Sequence, residues 1–226
     1  MMIRNAVIIF FAVMGVTASS IENRIYAQSN SSSYLIPIEP DSLLPGDILF
    51  QDLDCGPLCD AIEAVTEGVN GKDFSHCGLV IEVNGQLQII EAISNGGVVL
   101  TPVKQFVARS GSENITHTRL KPVHRHVLPM ATAFAIDQLG TPYDEEYILN
   151  NGRLYCSELL YEAFKVANKN QEFFQLYPMT YRQPGSPNFF PAWEAYYDKL
   201  DQPIPEGKPG LNPGSISRSD KLIIIK

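Results

Sequence analysis

The sequence predicts an α+β fold in which a β-meander is followed by helices. Two observations predict the strands and a third predicts the helices. Two strand-like runs, His76–Val83 and Gln86–Ile93, flank Asn84-Gly85, the pair that best suits a type I′ hairpin turn. Asn95-Gly96-Gly97 then turns the chain into a third strand over Val98–Val103. Beyond Pro129 the hydrophobic period lengthens. Leu159, Leu160, Ala163, Phe164 and Ala167 recur at helical spacing and mark one buried face.

The other elements follow along the chain. Residues 1–20 read as a signal peptide, with Arg4 as the positive start, Ala6–Ala18 as the apolar run and Ala18-Ser19-Ser20 as the cleavage region. That run is shorter than the about 20 residues a membrane-spanning helix needs, so an uncleaved anchor is the weaker alternative. Residues 21–41 form a polar linker, and residues 42–226 form one domain. Leu44-Pro45-Gly46-Asp47 is a turn into a short first strand, Ile48–Phe50. Asp60–Glu67 has helical spacing with Asp60 as its N-cap. Lys104–Arg109 is a short helix, and Ile115–Lys121 alternates as a further strand, giving four or five antiparallel strands in succession. Met130–Leu139 is a helix stopped by Gly140, and Pro191–Leu200 is a helix with Pro in its first turn. The segment between Asn170 and that helix is aromatic and Pro-rich.

Composition narrows the function classes. An apolar fraction of 45% over 226 residues suffices for a real core. The net charge of -8, with no basic run, excludes nucleic acid as the main partner. Export, to a periplasm or beyond the cell, permits disulfides among the four cysteines. Cys55 and Cys59 flank Gly56-Pro57 and are spaced for a local bridge. With His76 and Cys77 they also offer a zinc reading, but no second CxxC or spaced His pair accompanies it.

Cys156 stands where an Asn/Gly-rich loop gives way to the helical pattern. In the first turn of a helix, unpaired N–H groups and the dipole favour thiolate over thiol. The alternative is a small buried side chain on the core face. A nucleophilic cysteine needs an imidazole, and the imidazole an orienting group. Of the four histidines, His76 is best placed, at the entry of the first hairpin strand. His117 lies mid-strand, and His124 and His126 lie in an exposed connector. The Asn84-Gly85 turn pairs Val83 with Gln86, which sets Glu91 opposite Gly78. Glu91 and His76 are then diagonal neighbours on one face. An acidic residue between Ile90 and Ala92 needs a partner. Asp144, Glu145 and Glu146 read as a solvated loop.

Four stretches in this order, Leu44-Pro45-Gly46-Asp47-Ile48-Leu49-Phe50-Gln51, Phe74-Ser75-His76-Cys77-Gly78-Leu79-Val80, Ile90-Glu91-Ala92 and Tyr155-Cys156-Ser157-Glu158-Leu159, resemble the YiiX/YebB-like cysteine hydrolases. These are circularly permuted papain-like amidases related to the NlpC-type cell-wall peptidases. The resemblance runs from about Ser42 to the C-terminus. It implies a permuted papain-like fold with Cys156 as nucleophile, His76 as base and then acid, and Glu91 as the residue orienting the imidazole. It also implies Tyr143 as an oxyanion donor and draws Tyr155 and Gln51 into the oxyanion or substrate-binding set. No cofactor or metal is implied. The implied substrate is a peptide or peptidoglycan-derived amide. A lipid ligand is the alternative, since lecithin retinol acyltransferase-like enzymes share the permuted topology. A non-catalytic binding module is a third reading. Cys77 departs from the family pattern, which more often has an aliphatic residue there.

Overall fold

The central strand, β1 (Ile48–Gln51), is buried along its whole length because it takes partners on both edges. β2 (His76–Val83) pairs with one edge and β5 (Ile115–Leu120) with the other, both antiparallel. The computed structural model describes residues 42–225, which fall in one compact unit; the signal peptide and linker expected over residues 1–41 lie outside the described residues. The turn before β1 depends on Gly46. Its φ is +92°, and a Cβ there would meet Leu128 Cδ1 at 2.5 Å.

β2 and β3 (Gln86–Ile93) form the expected hairpin. Asn84 at φ +53° and Gly85 at +75° both adopt the left-handed backbone that a type I′ turn requires. Pairing runs from Val83 with Gln86 to Leu79 with Ile90, the register read from the sequence. β4 (Gly97–Pro102) extends the meander by pairing with β3. Two further short strands, β6 (Tyr177–Pro178) and β7 (Pro209–Gly210), make a separate ribbon. With β8 (Leu222–Ile224) on the outer edge of β5, the sheet order is β4-β3-β2-β1-β5-β8.

That order corrects one expectation. β5 does not continue the meander beyond β4. The helix between them, α2 (Val103–Ala108), packs on one sheet face, and the chain returns to the free edge of β1. A buried strand left unpaired there would strand its backbone N–H and C=O groups, and β5 supplies their partners.

The first helix, α1 (Pro57–Glu63), begins before the expected cap at Asp60. Gly56 takes the cap position, Pro57 the first helical position where its missing N–H is harmless, and Asp60 lies within the first turn. A Cys55–Cys59 disulfide, with Cα atoms 5.4 Å apart, clasps this start and leaves neither sulfur for a metal.

The remaining helices are α3 (Leu128–Asp137), α4 (Cys156–Ala167), α5 (Pro191–Leu200) and α6 (Pro213–Ser217). Ile48, Phe50, Leu79 and Ile90 on one sheet face pack against Leu159, Leu160, Ala163 and Phe164 of α4 and Ala131 and Ala135 of α3. Leu49, Val80 and Ile89 on the other face meet Phe106 and Val107 of α2. The aromatic segment builds a third cluster, in which Tyr181, Trp193 and Tyr197 cover Ala61 of α1.

Phe164 anchors α4 to this core. It is fully buried and its ring lies 5.2 Å from that of Phe173 and 5.1 Å from that of Phe174. Phe164→Ala should lower the unfolding free energy by about 3–5 kcal/mol in chemical denaturation. A loss under about 1 kcal/mol would contradict this packing.

Candidate active site

Cys156 is the first residue of α4, and Tyr155 before it is extended, at φ -92° and ψ 170°. Within the helix the ladder begins with Leu159 N donating to Tyr155 O at 3.0 Å. The N–H groups of the first turn are therefore free of helical bonds and point towards the thiol end of the helix. Glu158, in the same turn, is a buried carboxyl. Burial, with the Asp144 carboxylate nearby, pushes its pKa up to about 8 against the pull of the Asn150 and Tyr155 backbone N–H groups. Protonated at neutral pH, it places no second negative charge beside Cys156.

β2 begins at His76, and β3 carries Glu91. His76 Nε2 lies 2.5 Å from Glu91 Oε2. The carboxylate is fully buried and also accepts from Arg109 Nη2 at 2.6 Å and from the Thr101 hydroxyl. Burial works to raise the Glu91 pKa, but His76 above all, with Thr101 and Arg109, holds it below the usual carboxylate value. Glu91 is thus an anion in the sheet, held by three donors.

The pair with Cys156 sets the charge of the ring. Burial would lower the His76 pKa. Its interactions with Cys156 and Glu91 outweigh burial and raise it to about 9. Since Nε2 is engaged by Glu91, Nδ1 is the nitrogen left for sulfur. The thiol itself is held well below its ordinary pKa. Cys77 contributes most, burial opposes, and His76 lowers it further. The Cys77 thiol moves the other way, because burial and the neighbouring Cys156 charge both disfavour a second anion. One sulfur is therefore a thiolate and the other keeps its proton. Cys77 is fully buried and Cys156 is 6% exposed, so only Cys156 reaches solvent.

Cys156 opens into a cavity of about 230 Å³ lined with Tyr143, Tyr147, Tyr155, Tyr181 and Trp193. Tyr143 is half-buried, stacks edge-on against Tyr147 at 6.3 Å, and bridges to Leu154 just before the thiol. Burial, then Tyr147 and Cys156, raise its phenol pKa, so it stays a donor. Its segment docks on the sheet through Gly97. A Cβ there would sit 2.1 Å from the Thr141 carbonyl. Asp144 is not solvated as expected. Fully buried, it accepts from Glu146 N, Ile148 N and Asn151 Nδ2 at 2.9, 2.7 and 2.8 Å and folds the loop leading to Cys156.

Of the residues singled out from sequence, Cys156, His76, Glu91, Tyr143 and Tyr155 are thus brought together. Gln51 is not. Paired with His76 across β1 and β2, its Nε2 donates to the Phe106 carbonyl at 2.6 Å and the Ser110 hydroxyl at 3.0 Å, and it does not line the cavity. Its amide nitrogen is spent on steadying α2, beside Arg109. Sequence reasoning missed Thr101 and Arg109 as supports of Glu91. Thr101 had a signal, because Glu91 pairs with Val99 and Thr101 is the diagonal neighbour on that face. Arg109 had none, since its reach depends on how α2 lies over the sheet. His117 is a structural residue: its Nε2 contacts Asp47 Oδ2 at 2.6 Å, and Arg119 Nε binds Asp47 Oδ1 at 2.6 Å.

Comparison with known proteins bears on the family and the fold. A family model described as a permuted papain-like amidase enzyme, YaeF/YiiX, C92 family, matches residues 42–226. A protein of Escherichia coli (strain K12) named YiiX is 30% identical over 125 residues, which covers 54% of this chain and 57% of that one. The match therefore spans little more than half of that relative. The crystal structure of yiiX from Escherichia coli O157:H7, titled a metalloprotein, superposes with a TM-score of 0.64 at 23% identity, over 80% of this chain and 96% of that one. At that identity the likeness speaks for the fold. Among the described residues of this chain, no group of three or more His, Cys, Asp or Glu side chains is arranged to hold a metal ion.

The two thiols allow a direct check of the electrostatics. Replacing Cys77 by Ala should raise the Cys156 thiol pKa towards the free value of about 8.5, read from the pH dependence of iodoacetamide alkylation. An inflection unmoved from the parent protein's would show that Cys77 does not share the charge.

Proposed function

The chain belongs to the family of permuted papain-like amidases, and on that premise we propose that this cysteine hydrolase cleaves amides through Cys156, His76 and Glu91. The observation that carries the reading is the His76 Nε2 contact with Glu91 Oε2 at 2.5 Å beside a thiol at a helix start. The Cys156 thiolate attacks the amide carbonyl and a C–S bond forms. Backbone N–H groups at the α4 start and the Tyr143 phenol donate to the oxyanion. The tetrahedral intermediate collapses as His76 gives its proton to the leaving amine, and a thioester remains. Neutral His76 then takes a proton from water, which attacks the thioester. The acid leaves, and the thiolate–imidazolium pair is restored. Glu91 keeps the ring oriented throughout and favours its charged form, in the role an orienting carboxylate plays for a catalytic imidazole.

The substrate proposed is a cell-wall peptide or a small peptide-like amide met outside the cytoplasm. The leader read over residues 1–20 supports export. A second reading, a lipid amidase or acyltransferase, has one observation in its favour: the cavity beside the thiol, walled in part by tyrosine and tryptophan rings. Mass spectrometry of peptidoglycan fragments and of phospholipid, each incubated with the protein and with Cys156→Ala, separates the readings. Cleavage of an amide in the fragments, absent with Cys156→Ala, is the expected result. Turnover of phospholipid alone would select the lipid enzyme, and turnover of neither would favour a binding module.

The pH profile follows from the two shifts. Catalysis needs thiolate and imidazolium together, so activity rises as Cys156 ionises at its lowered pKa and falls as His76 loses its proton near about 9. Glu91→Gln should cut turnover by roughly 100-fold or more and move the alkaline limb towards the ordinary imidazole value of about 6.5. Unchanged turnover with an unmoved limb would remove Glu91 from the site.

A further inference from the structure

The cavity beside Cys156 has a charge pattern that the hydrolytic steps do not use. The chain carries 25 Asp and Glu against 17 Lys and Arg, yet no carboxylate among the described residues lines this cavity. Apart from the thiolate, its one formally charged lining side chain among the described residues is Arg218. Arg218 follows α6 and is exposed. The other arginines of the described residues all have work to do. Arg109, Arg119, Arg153 and Arg182 pair with carboxylates, and Arg125 donates to the Leu120 carbonyl. Arg218 has neither kind of partner among the described residues.

Its position adds to this. Tyr177, Ser215 and Arg218 line both the aromatic cavity and an adjoining polar groove, so the guanidinium stands where one opens into the other. The carboxylates of that groove are already engaged. Asp220 pairs with Lys221 at 3.4 Å, and Glu172 accepts from Leu176 N at 3.2 Å. The cavity wall also favours an acceptor-bearing ligand. Trp193 Nε1 lacks a partner among the described residues, on a side chain 3% exposed. Buried polar groups are normally satisfied, and an indole N–H can only donate.

We propose that the group bound in this cavity has an apolar or aromatic body and an anionic end, a carboxylate or a phosphate, that pairs with Arg218. The proposal rests on the reading of Cys156 as nucleophile and names the class of substrate that this nucleophile meets. A guanidinium binds either anion in a two-pronged fashion, so the test must separate them. The apolar body gains by leaving water against the tyrosine and tryptophan rings. A cationic substrate meets no carboxylate of the described residues in this cavity, and Arg218 repels it.

N-Alkyl-2-chloroacetamides test this without requiring amide turnover. Each forms a C–S bond to Cys156 with loss of chloride, and intact-protein mass spectrometry gives the rate. A series of chain lengths would end in methyl, carboxylate, phosphate or ammonium. The carboxylate or phosphate probes should alkylate roughly five-fold or more faster than the methyl probe, the ammonium probe more slowly, and the gain should shrink in high salt. The faster of the two anions identifies the end group. Arg218→Gln should bring the anion-to-methyl ratio to about one, and Arg218→Lys should keep part of it. Equal rates for anionic and methyl probes on a reactive Cys156, or a preference that survives Arg218→Gln, would overturn the proposal alone. If no probe labels Cys156 faster than free cysteine, the nucleophile reading falls and this proposal with it.

Discussion

The register of one hairpin is the constraint on which the candidate site depends. Asn84 and Gly85 close it with two left-handed residues, and that tight turn leaves no freedom to slip. A slip of one residue would send Glu91 to the opposite face of the sheet and separate it from His76. The central place of β1 then matters as well. By pairing with β2 it buries the His76 end of that strand, and by pairing with β5 it closes the sheet behind it. α4 packs across the finished face and presents Cys156 to a base already oriented.

The same contacts govern the protonation of the site. Glu91 remains ionised in a buried strand because His76, Thr101 and Arg109 all donate to it. That fixed anion and the Cys156 thiolate hold a proton on His76 that burial alone would remove. The linkage to stability has a definite sign. The raised His76 pKa contributes stability that is full below about 6.5 and is lost as pH rises through about 9. The lowered Glu91 pKa contributes stability present above the ordinary carboxylate range and lost as pH falls through its folded value. The site is therefore both most charged and most stabilising between these limits.

Much of this was legible in the sequence, for physical reasons. Asn84-Gly85 specifies a turn type, the turn specifies register, and register specifies that His76 and Glu91 meet. Helical spacing after Cys156 similarly marked a buried face and a helix start. What escaped was set by tertiary packing. The return of β5 to β1 follows from the need to pair a buried edge, which no local pattern announces. Arg109 reaches Glu91 only because α2 lies over the sheet, held there in part by Gln51. Gln51 was itself misplaced because its motif position does not reveal that its amide nitrogen is taken by Phe106 and Ser110. Asp60 yielded the helix start to Pro57, whose fixed φ outranks a capping side chain.

The chemistry of the site turns on His76 being a cation paired with the Cys156 thiolate at neutral pH. Nuclear magnetic resonance of the His76 ring nitrogens, followed as a function of pH in protein labelled with ¹⁵N at histidine, measures that state directly. Both nitrogens should be protonated through neutrality, with titration at about 9. The titration should shift to lower pH when Cys156 is replaced by Ala and the thiolate is removed. A ring that is neutral at pH 7.5, or a titration indifferent to Cys156, would contradict that pairing.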